Sequence, residues 1–343
     1  MGLTMALRLS TEILALETLH PFGIARGTTQ AYRRVWVRLT DDDGVEGWGE
    51  ADPSYYYGET AETVVAALAA YASVLPRDPF DLEAAEAKFA ATLKYNPSAR
   101  AALSAALHDL VGKRLGVPLW KLWGLDPAAA PLSNFTIGLD TLDVVRRKVR
   151  EAADYPILKI KVGTPDDRAV LQVVREETDK RLRVDANAGW TLKEAMQRLP
   201  LLEEMGVELI EQPLAPDDIE GLRVLRAASR LPIIADESCR TAADIPRLVG
   251  AVDGINIKLA KCGSLREALR MIAVARAHQM RVMVGCMMES SLGITAAAHF
   301  TPLLDYVDLD GAALLKHDPF TGAGIAGGRI TLPTLPGLGV TKR

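Results

Sequence analysis

The sequence predicts an α/β protein, an eight-stranded parallel (β/α) barrel of the TIM type with a smaller N-terminal α+β domain in front of it. From Leu132 onward, eight short β-branched runs recur, each ending in polar residues and followed by an amphipathic helical stretch. Their end markers are Thr136, Lys161, Asp185, Glu211, Asp236, Lys258, Gly285 and Asp308, spaced 22 to 27 residues apart. That interval suits one strand, one helix and two short loops. Before Leu132 the order changes, with strand-like runs first and helical stretches after, which marks an α+β unit. A doubly wound sheet is the alternative for the second part, but no glycine-rich phosphate turn follows its first strand.

In chain order, strands are expected at Leu7–Leu19, Tyr32–Leu39 and Val45–Glu50, the last two joined by the hairpin signal Asp41-Asp-Asp-Gly44. Helices follow near Thr60–Leu75, Asp81–Leu93 and Ser98–Leu115, the third stopped by Gly116 and Pro118. The barrel strands are Phe135-Thr-Ile-Gly, Ile157-Leu-Lys-Ile-Lys-Val, Leu182-Arg-Val-Asp-Ala, Val207-Glu-Leu-Ile-Glu-Gln, Ile233-Ile-Ala-Asp-Glu, Ile255-Asn-Ile-Lys, Val282-Met-Val-Gly-Cys and Tyr306-Val-Asp-Leu-Asp. The Gly/Pro-rich end, with Gly322-Ala-Gly, Ala326-Gly-Gly-Arg, Pro333 and Pro336, is expected to return to the first domain. The division is therefore 1–128, 129–315 and 316–343.

Composition narrows the function classes. Forty basic and 44 acidic residues give a net charge of −4 without a block of either sign, so nucleic acid and anionic membrane are poor partners. No apolar run approaches the ~20 residues that span a bilayer. The start, Met1-Gly-Leu-Thr-Met-Ala, lacks a signal-peptide core, and Ala6 breaks the myristoylation pattern. Cys239, Cys262 and Cys286 are widely spaced and read as reduced thiols of a cytoplasmic enzyme. A homo-oligomer is compatible with all of this.

Barrel active sites form at the C-terminal ends of the strands. Lys159 and Lys161 share one face of the second strand. Strands three, four and five end in Asp185, Glu211 and Asp236; the sixth carries Lys258, and the eighth carries Asp308 and Asp310. One such residue alone is most simply a solvated end or a helix cap. Three carboxylates on consecutive strands, flanked by lysines, are costly to crowd together unless paired or bound to metal. Their hard oxygens suit one Mg2+ per subunit. Two ammonium groups ~4 Å apart repel by about 4 kcal/mol at an effective dielectric of ~20, which would bring Lys159 or Lys161 toward neutral pH as a base. Lys258 comes from the strand across the ring. Two opposed lysines can remove a proton from one face of a substrate and return it to the other, a 1,1-proton transfer through an enolate.

These residues closely resemble the enolase superfamily, in its muconate-lactonizing subgroup. The resemblance rests on Arg100-Ala-Ala-Leu, Leu107-His-Asp-Leu and Pro118-Leu-Trp-Lys-Leu-Trp-Gly124, then Lys159-Ile-Lys161, Asp185-Ala-Asn, Glu211-Gln-Pro, Ala235-Asp-Glu-Ser and Asn256-Ile-Lys258. It implies a modified (β/α)7β barrel with an α+β capping domain, Mg2+ on Asp185, Glu211 and Asp236, and Lys161 and Lys258 as the acid/base pair with Lys159 as electrostatic support. Asp308-Leu-Asp310 is similar to the motif of dipeptide epimerases of the L-Ala-D/L-Glu type, where the two carboxylates bind the α-ammonium of the dipeptide. The segments His20–Thr29 and Asp52–Gly58 are expected as loops that close the site. Arg26 in the first would pair with a glutamate side chain or lie in solvent, and Thr136 and the segment Cys286–Ser290 would face the mouth. Cys286 is not expected to be a nucleophile.

Three other readings compete. Cycloisomerisation, o-succinylbenzoate synthesis and N-acyl amino acid racemisation use the same scaffold, but their substrates offer no free ammonium to the Asp pair. A Schiff-base aldolase through Lys161 would need no metal, and a barrel kept only for binding would need neither metal nor lysines.

Overall fold

The computed structural model describes residues 6–343; the stretch Met1–Met5 lies outside the described residues. Strands β1 (Arg8–Ile24), β2 (Gly27–Thr40) and β3 (Glu46–Ala51) form an antiparallel sheet in that order. The β2–β3 turn is held by Asp41, whose Oδ1 accepts from the N–H groups of Asp43 and Val45 at 3.0 and 2.9 Å. The first hairpin is longer than the sequence pattern suggested. Pro21, which cannot donate to the ladder, falls in a register shift between Glu17 and Phe22, and pairing resumes at Phe22–Thr29. His20–Thr29 is thus a hairpin tip turning at Ala25-Arg26, not a free loop.

Helices α1 (Ala61–Ala72) and α3 (Pro97–Leu115) pack on that sheet, and α2 (Leu82–Thr92) packs against both of them. Proline in the first turn of α3 and Gly116 at φ 69° bound the helix as expected. Gly47 and Gly49 let α3 lie almost on β3; a Cβ there would stand 2.0 and 2.1 Å from the carbonyls of Ala106 and Ala102. A short helix, α4 (Leu119–Leu122), leads into the barrel.

The barrel has eight parallel strands, β4 (Phe135–Ile137), β5 (Ile157–Lys161), β6 (Arg181–Asp185), β7 (Val207–Glu211), β8 (Ile233–Ala235), β9 (Gly254–Ile257), β10 (Arg281–Gly285) and β11 (Tyr306–Asp308). They are hydrogen-bonded in sequence order. The ring is completed between β11 and the start of β4 by a parallel bridge between Ser133 and Val307. Helices α5 (Leu142–Glu151), α6 (Asp167–Glu177), α7 (Leu192–Glu204), α8 (Ile219–Ala228), α9 (Ile245–Leu248), α10 (Leu259–Cys262), α11 (Leu265–Ala277) and α12 (Ser291–Ala298) fill the seven connections. The shortest interval, Asp236 to Lys258, contains only the four-residue α9, whereas the longest, Lys258 to Gly285, contains α10 and α11. After β11 comes a 3-10 turn over Gly311–Leu314 rather than a helix, which makes the barrel (β/α)7β.

Side chains alternate along each strand. Leu158, Ile160, Val184, Ile210 and Val284 pack outward in the large core under the helices. Inside, one layer below the mouth, Leu209, Ile234, Met283 and Tyr306 form a small apolar floor. The C-terminal strands β12 (Phe320–Thr321), β13 (Gly324–Ala326), β14 (Arg329–Thr331) and β15 (Thr341–Lys342) run back along the molecule. Phe320 meets Trp36 and Trp48 edge-on at 4.7 and 5.9 Å between ring centroids. Leu338 donates its N–H to Asp109 of α3 at 2.7 Å. No described helix is long and apolar enough to cross a membrane.

Candidate active site

A cavity of about 530 Å³ opens at the C-terminal ends of the strands and is roofed by the β1–β2 hairpin tip and the segment after β3. Lys159, Lys161, Asp236, Lys258, Asp308 and Asp310 line it, together with Thr136, Arg26 and Tyr55–Tyr57. These sequence-predicted residues therefore meet in one place, although they come from the ends of five barrel strands and from the chain before the barrel.

Each charged group has an identifiable setting. Lys159 is almost fully buried and reaches Glu211 Oε2 and Asp308 Oδ2 at 2.7 Å and Asp185 Oδ2 at 3.1 Å. Lys161 lies 2.6 Å from Asp185 Oδ2, and Lys258 lies 2.8 Å from Asp236 Oδ2. Burial alone would lower the Lys159 pKa, yet Asp185, Asp308 and Glu211 outweigh it and hold the ammonium well above its usual range. For Lys159 this corrects the expectation that repulsion from Lys161 would bring it toward neutral pH. Lys159 is bracketed by three carboxylates, and their attraction exceeds the repulsion from its neighbour. Lys258 is likewise raised, burial being outweighed by Asp236 and Glu211.

The carboxylates differ among themselves. Asp185 is wholly buried, which would raise its pKa, but Lys159, Lys161 and Lys258 hold it far below the usual carboxylate range. Asp236 is also depressed, burial being overcome by Lys258 and Lys261. Glu211 is pushed up to about 7 by burial and by Asp185, despite Lys159. Burial and the adjacent Asp308 likewise raise Asp310 to about 7, whereas Asp308 is lowered by Lys159 against its burial. Asp308 is thus already balanced by a lysine. Asp310 accepts from the backbone N–H of Thr136 at 2.5 Å and from its side chain, and among the described residues it forms no ion pair.

Thr136 acts on both carboxylates, since its hydroxyl also donates to Asp308 Oδ1 at 3.3 Å, while Asn134 donates to the same oxygen at 2.6 Å. Cys286 lies beside this pair, and burial followed by Asp310 and Asp308 pushes its thiol well above the usual range. That is the opposite of an activated nucleophile.

Several members were not picked out from sequence. Lys261, buried in α10, sits 2.5 Å from Asp236 Oδ1 and donates to the carbonyls of Cys239 and Asn256 at 3.0 and 2.9 Å. Its signal was a lysine in the apolar run Leu259-Ala-Lys-Cys. Asn256 donates to Glu211 Oε1 at 2.8 Å, and the Gln212 side chain accepts from the N–H groups of Asp236 and Ser238 at 2.9 and 3.1 Å. Asn187, Ala188 and Gln212 adopt positive φ, 45°, 61° and 33°, just beyond Asp185 and Glu211. Such backbone is uncommon outside glycine and clusters where side chains must be aimed.

The roof is fixed by the chain before the barrel. Arg34 of β2 donates to the Met288 carbonyl at 2.6 Å and pairs with Asp52 Oδ1 at 2.5 Å. Glu50 of β3 accepts from the N–H of Ser290, the cap of α12, at 2.9 Å, and also from its hydroxyl. Burial raises Glu50 to about 8. Arg26 at the hairpin tip donates to the Asn187 carbonyl at 2.7 Å, pairs with Glu237 Oε1 at 2.9 Å, and stacks 4.3 Å above the Tyr56 ring. Its side chain is part-exposed and lines the cavity while making these contacts.

Whether these residues suit Mg2+ can be tested on the donor set. Among the described residues, no group of three or more His, Cys, Asp or Glu side chains is arranged as it stands to hold a metal ion. Asp185, Glu211 and Asp236 instead turn oxygens onto lysine ammonium groups. Two of those oxygens, Glu211 Oε2 and Asp236 Oδ1, are buried and accept no well-directed hydrogen bond, although Lys159 and Lys261 stand within ion-pair distance. Three hard carboxylates on adjacent strand ends, with orphaned oxygens and a carboxyl excess around them, fit a small divalent cation once the side chains turn from the lysines.

Comparison with known proteins agrees with this picture. Residues 9–124 match the mandelate racemase/muconate lactonizing enzyme N-terminal domain, and residues 142–343 match the enolase C-terminal domain-like family. The chain is 42% identical over 329 residues to an L-Ala-D/L-Glu epimerase of Bacteroides thetaiotaomicron, covering 95% of this chain and 86% of that one. It is also 42% identical over 330 residues to a hydrophobic dipeptide epimerase of Roseobacter litoralis, covering 93% and 94%. A dipeptide epimerase of Enterococcus faecalis, solved with Mg and the dipeptide L-Leu-L-Tyr, superposes with a TM-score of 0.93 at 32% identity, covering 97% of this chain and 99% of that one.

Proposed function

This chain belongs to the enolase superfamily, in the mandelate racemase/muconate lactonizing enzyme family, and on that premise we propose that it is a Mg2+-dependent dipeptide epimerase. It inverts the Cα of the C-terminal residue by proton transfer between two lysines, and it works in the cytoplasm. The observation that carries the reading is the meeting of Lys161 and Lys258, from strands on opposite sides of the ring, in one cavity that also holds Asp310, which forms no ion pair among the described residues.

Asp310 and Asp308 take the substrate's free ammonium, a charge-assisted contact that an N-acylated amino acid cannot make. Thr136 and Asn134 hold the two carboxylates in place for it. With that end anchored, the C-terminal residue lies between the lysines. Lys258, kept as an ammonium by Asp236 and Glu211, is the proton donor in one direction, and Lys161 is the base on the other face. For the reverse reaction the roles exchange. Asp185, Glu211 and Asp236 would hold Mg2+, which when bound supplies positive charge against the negative charge that builds on the substrate carboxylate as the proton leaves. Lys159 balances Asp185, Glu211 and Asp308 at once and keeps the cluster from excess negative charge. The roofing hairpin and Tyr55–Tyr57 exclude water from the exposed carbanion.

The test is incubation of L-Ala-L-Xaa dipeptides with Mg2+ in D2O. The expected result is one deuterium at the C-terminal Cα together with the L-D product, both abolished by EDTA. Exchange into N-acetyl amino acids alone would overturn the dipeptide reading, and activity surviving EDTA with a borohydride-trapped adduct on Lys161 would overturn the metal reading.

A further inference from the structure

We propose that the junction between the roof and the loop leading into α12 is a proton-dependent latch. Glu50, Asp52 and Glu289 meet there around one arginine, Arg34, and hold the roof shut only while the three carboxyls share at least one proton. The latch concerns how the cavity closes and does not depend on what it binds.

Strand alternation builds the cluster. Val35 pairs with Ala51 in the β2–β3 ladder, and both side chains enter the apolar core of the N-terminal domain. Arg34, Glu50 and Asp52 therefore point the other way, toward the barrel. Glu289 meets them from the loop between β10 and α12. Glu50, Asp52 and Glu289 are buried and line one cavity of about 10 Å³, with room for a single water at most. The other walls are Ala101 and Ala105 of α3, Leu259 and Ala260 of α10, and Gly293 and Ala296 of α12. These bring no side-chain donor and no cation.

The charges do not balance. Asp52 Oδ1 pairs with Arg34 at 2.5 Å, and the other guanidinium nitrogens donate to the carbonyls of Met288 and Arg33. Glu50 accepts from Ser290, and Glu289 Oε1 accepts from the N–H of Met287 at 2.9 Å. Among the described residues neither glutamate forms an ion pair. Asp52 Oδ2 is buried without a partner, an acceptor left open for a proton held by a neighbour. Full ionisation would leave two negative charges uncompensated in a pocket closed to solvent, which is costly. Burial, with Glu289 adding, raises Glu50 to about 8 against its bonds from Ser290, and raises Asp52 to about 7 against Arg34. Glu289 is raised too, by burial, against the Met287 N–H, Arg34 and Lys258. Lys258 also attracts Asp52 from the active site, Tyr32 stands beside Asp52 and Arg34, and Glu59 of the roof segment faces both Asp52 and Arg100 of α3.

A closed junction thus binds protons that an open, hydrated one releases. Closure is strongest at low pH and weakens as the pH rises through about 7 to 8. The parts that would separate are Cys286–Met288 and the segment after β3, and both line the active cavity. Loss of the protons therefore widens that cavity.

The experiment is amide hydrogen exchange on the full chain without substrate at pH 6.5 and 8.5, corrected for the intrinsic pH dependence of exchange. Protection of residues 286–290 and 52–58 is expected to fall by about 10-fold or more over that interval, since one unit of raised pKa is worth tenfold. Helix α7, on the barrel wall, is expected to keep its protection. The double variant Glu50→Gln/Glu289→Gln retains the shapes and acceptors but loses two ionisable groups, and is expected to stay protected at both pH values. Glu289→Gln alone, should the double variant not fold, is expected to reduce the fall to about 3-fold or less. Equal protection at both pH values in the wild type, a fall shared by α7, or an undiminished fall in the glutamine variants would overturn the latch. None of these outcomes bears on the dipeptide reading, which fails separately if no dipeptide exchanges deuterium.

Discussion

Two regions of the molecule bury charge and treat it in opposite ways. Between α3 and the C-terminal segment, Asp109 and His299 are buried polar side chains with defined partners. Asp109 accepts from the N–H groups of Trp48 and Leu338 at 2.8 and 2.7 Å and from Lys113 at 2.7 Å. His299 accepts from the N–H of Trp120 through Nδ1 at 3.2 Å and donates through Nε2 to the Leu338 carbonyl at 3.1 Å. The barrel mouth is denser in charge yet incomplete, with orphaned oxygens on Glu211, Asp236, Glu237 and Asn187 and, among the described residues, no ion pair for Asp310. Buried polar groups that satisfy one another stabilise a fold; buried polar groups that do not are held in readiness for a ligand.

The largest effect that tests this contrast is loss of a lysine at the mouth. Lys258→Ala or Lys161→Ala is expected to lower epimerisation by about 10³-fold, the usual contribution of a positioned acid or base, and the rate of product formation from either epimer measures it. Either variant retaining full epimerisation would remove the two-lysine mechanism.

Next in size is the pH response of the satisfied region. Burial lowers the pKa of both His108 and His299 to about 4. The unfolded chain, with histidines near 6.5, then binds more protons than the folded one between pH 6.5 and 4. Stability contributed by the neutral rings is complete above pH 6.5, falls through that window and is gone below about 4, a loss of about 3 kcal/mol for each ring. Denaturant titrations at pH 7 and 4.5 measure it, and His299→Gln should flatten the slope. An unchanged slope in that variant would contradict the burial argument.

Smaller still is the effect of Asp310→Asn, which keeps the shape and removes the charge. A loss of about 10- to 100-fold in kcat/KM for dipeptides is expected, as for a charge-assisted contact of about 1.5–3 kcal/mol. An equal loss on an N-acetylated substrate would show that Asp310 does not read the ammonium.

The barrel was legible because strand ends repeat at a fixed interval and each ends in a polar residue. Even the departures left a trace: the shortest interval holds the shortest helix and the longest holds two. The hairpin tip was not legible, because Pro21, Gly23 and Gly27 are breakers by local chemistry, and only the register shift that absorbs Pro21 lets the ladder continue. The residues lining the site could be named, but their pairings could not. Lys159 looked like the twin of Lys161 until Asp308, 149 positions away, proved to be its partner. Glu237 and Lys261 lay inside or beside recognised tripeptides, yet what they do depends on Arg26 and Asp236, which no local pattern links to them.

The contacts of Arg34 and Glu50 carry one more consequence. They do not merely touch the barrel; they supply a donor to the Met288 carbonyl and an acceptor to the N–H of Ser290, the cap of α12. The chain that shapes the roof also finishes a segment of the floor plan beneath it. Roof and barrel therefore cannot be exchanged between relatives as independent parts. A transplanted roof lacking an arginine and a glutamate at these two positions would undo the loop on which α12 begins.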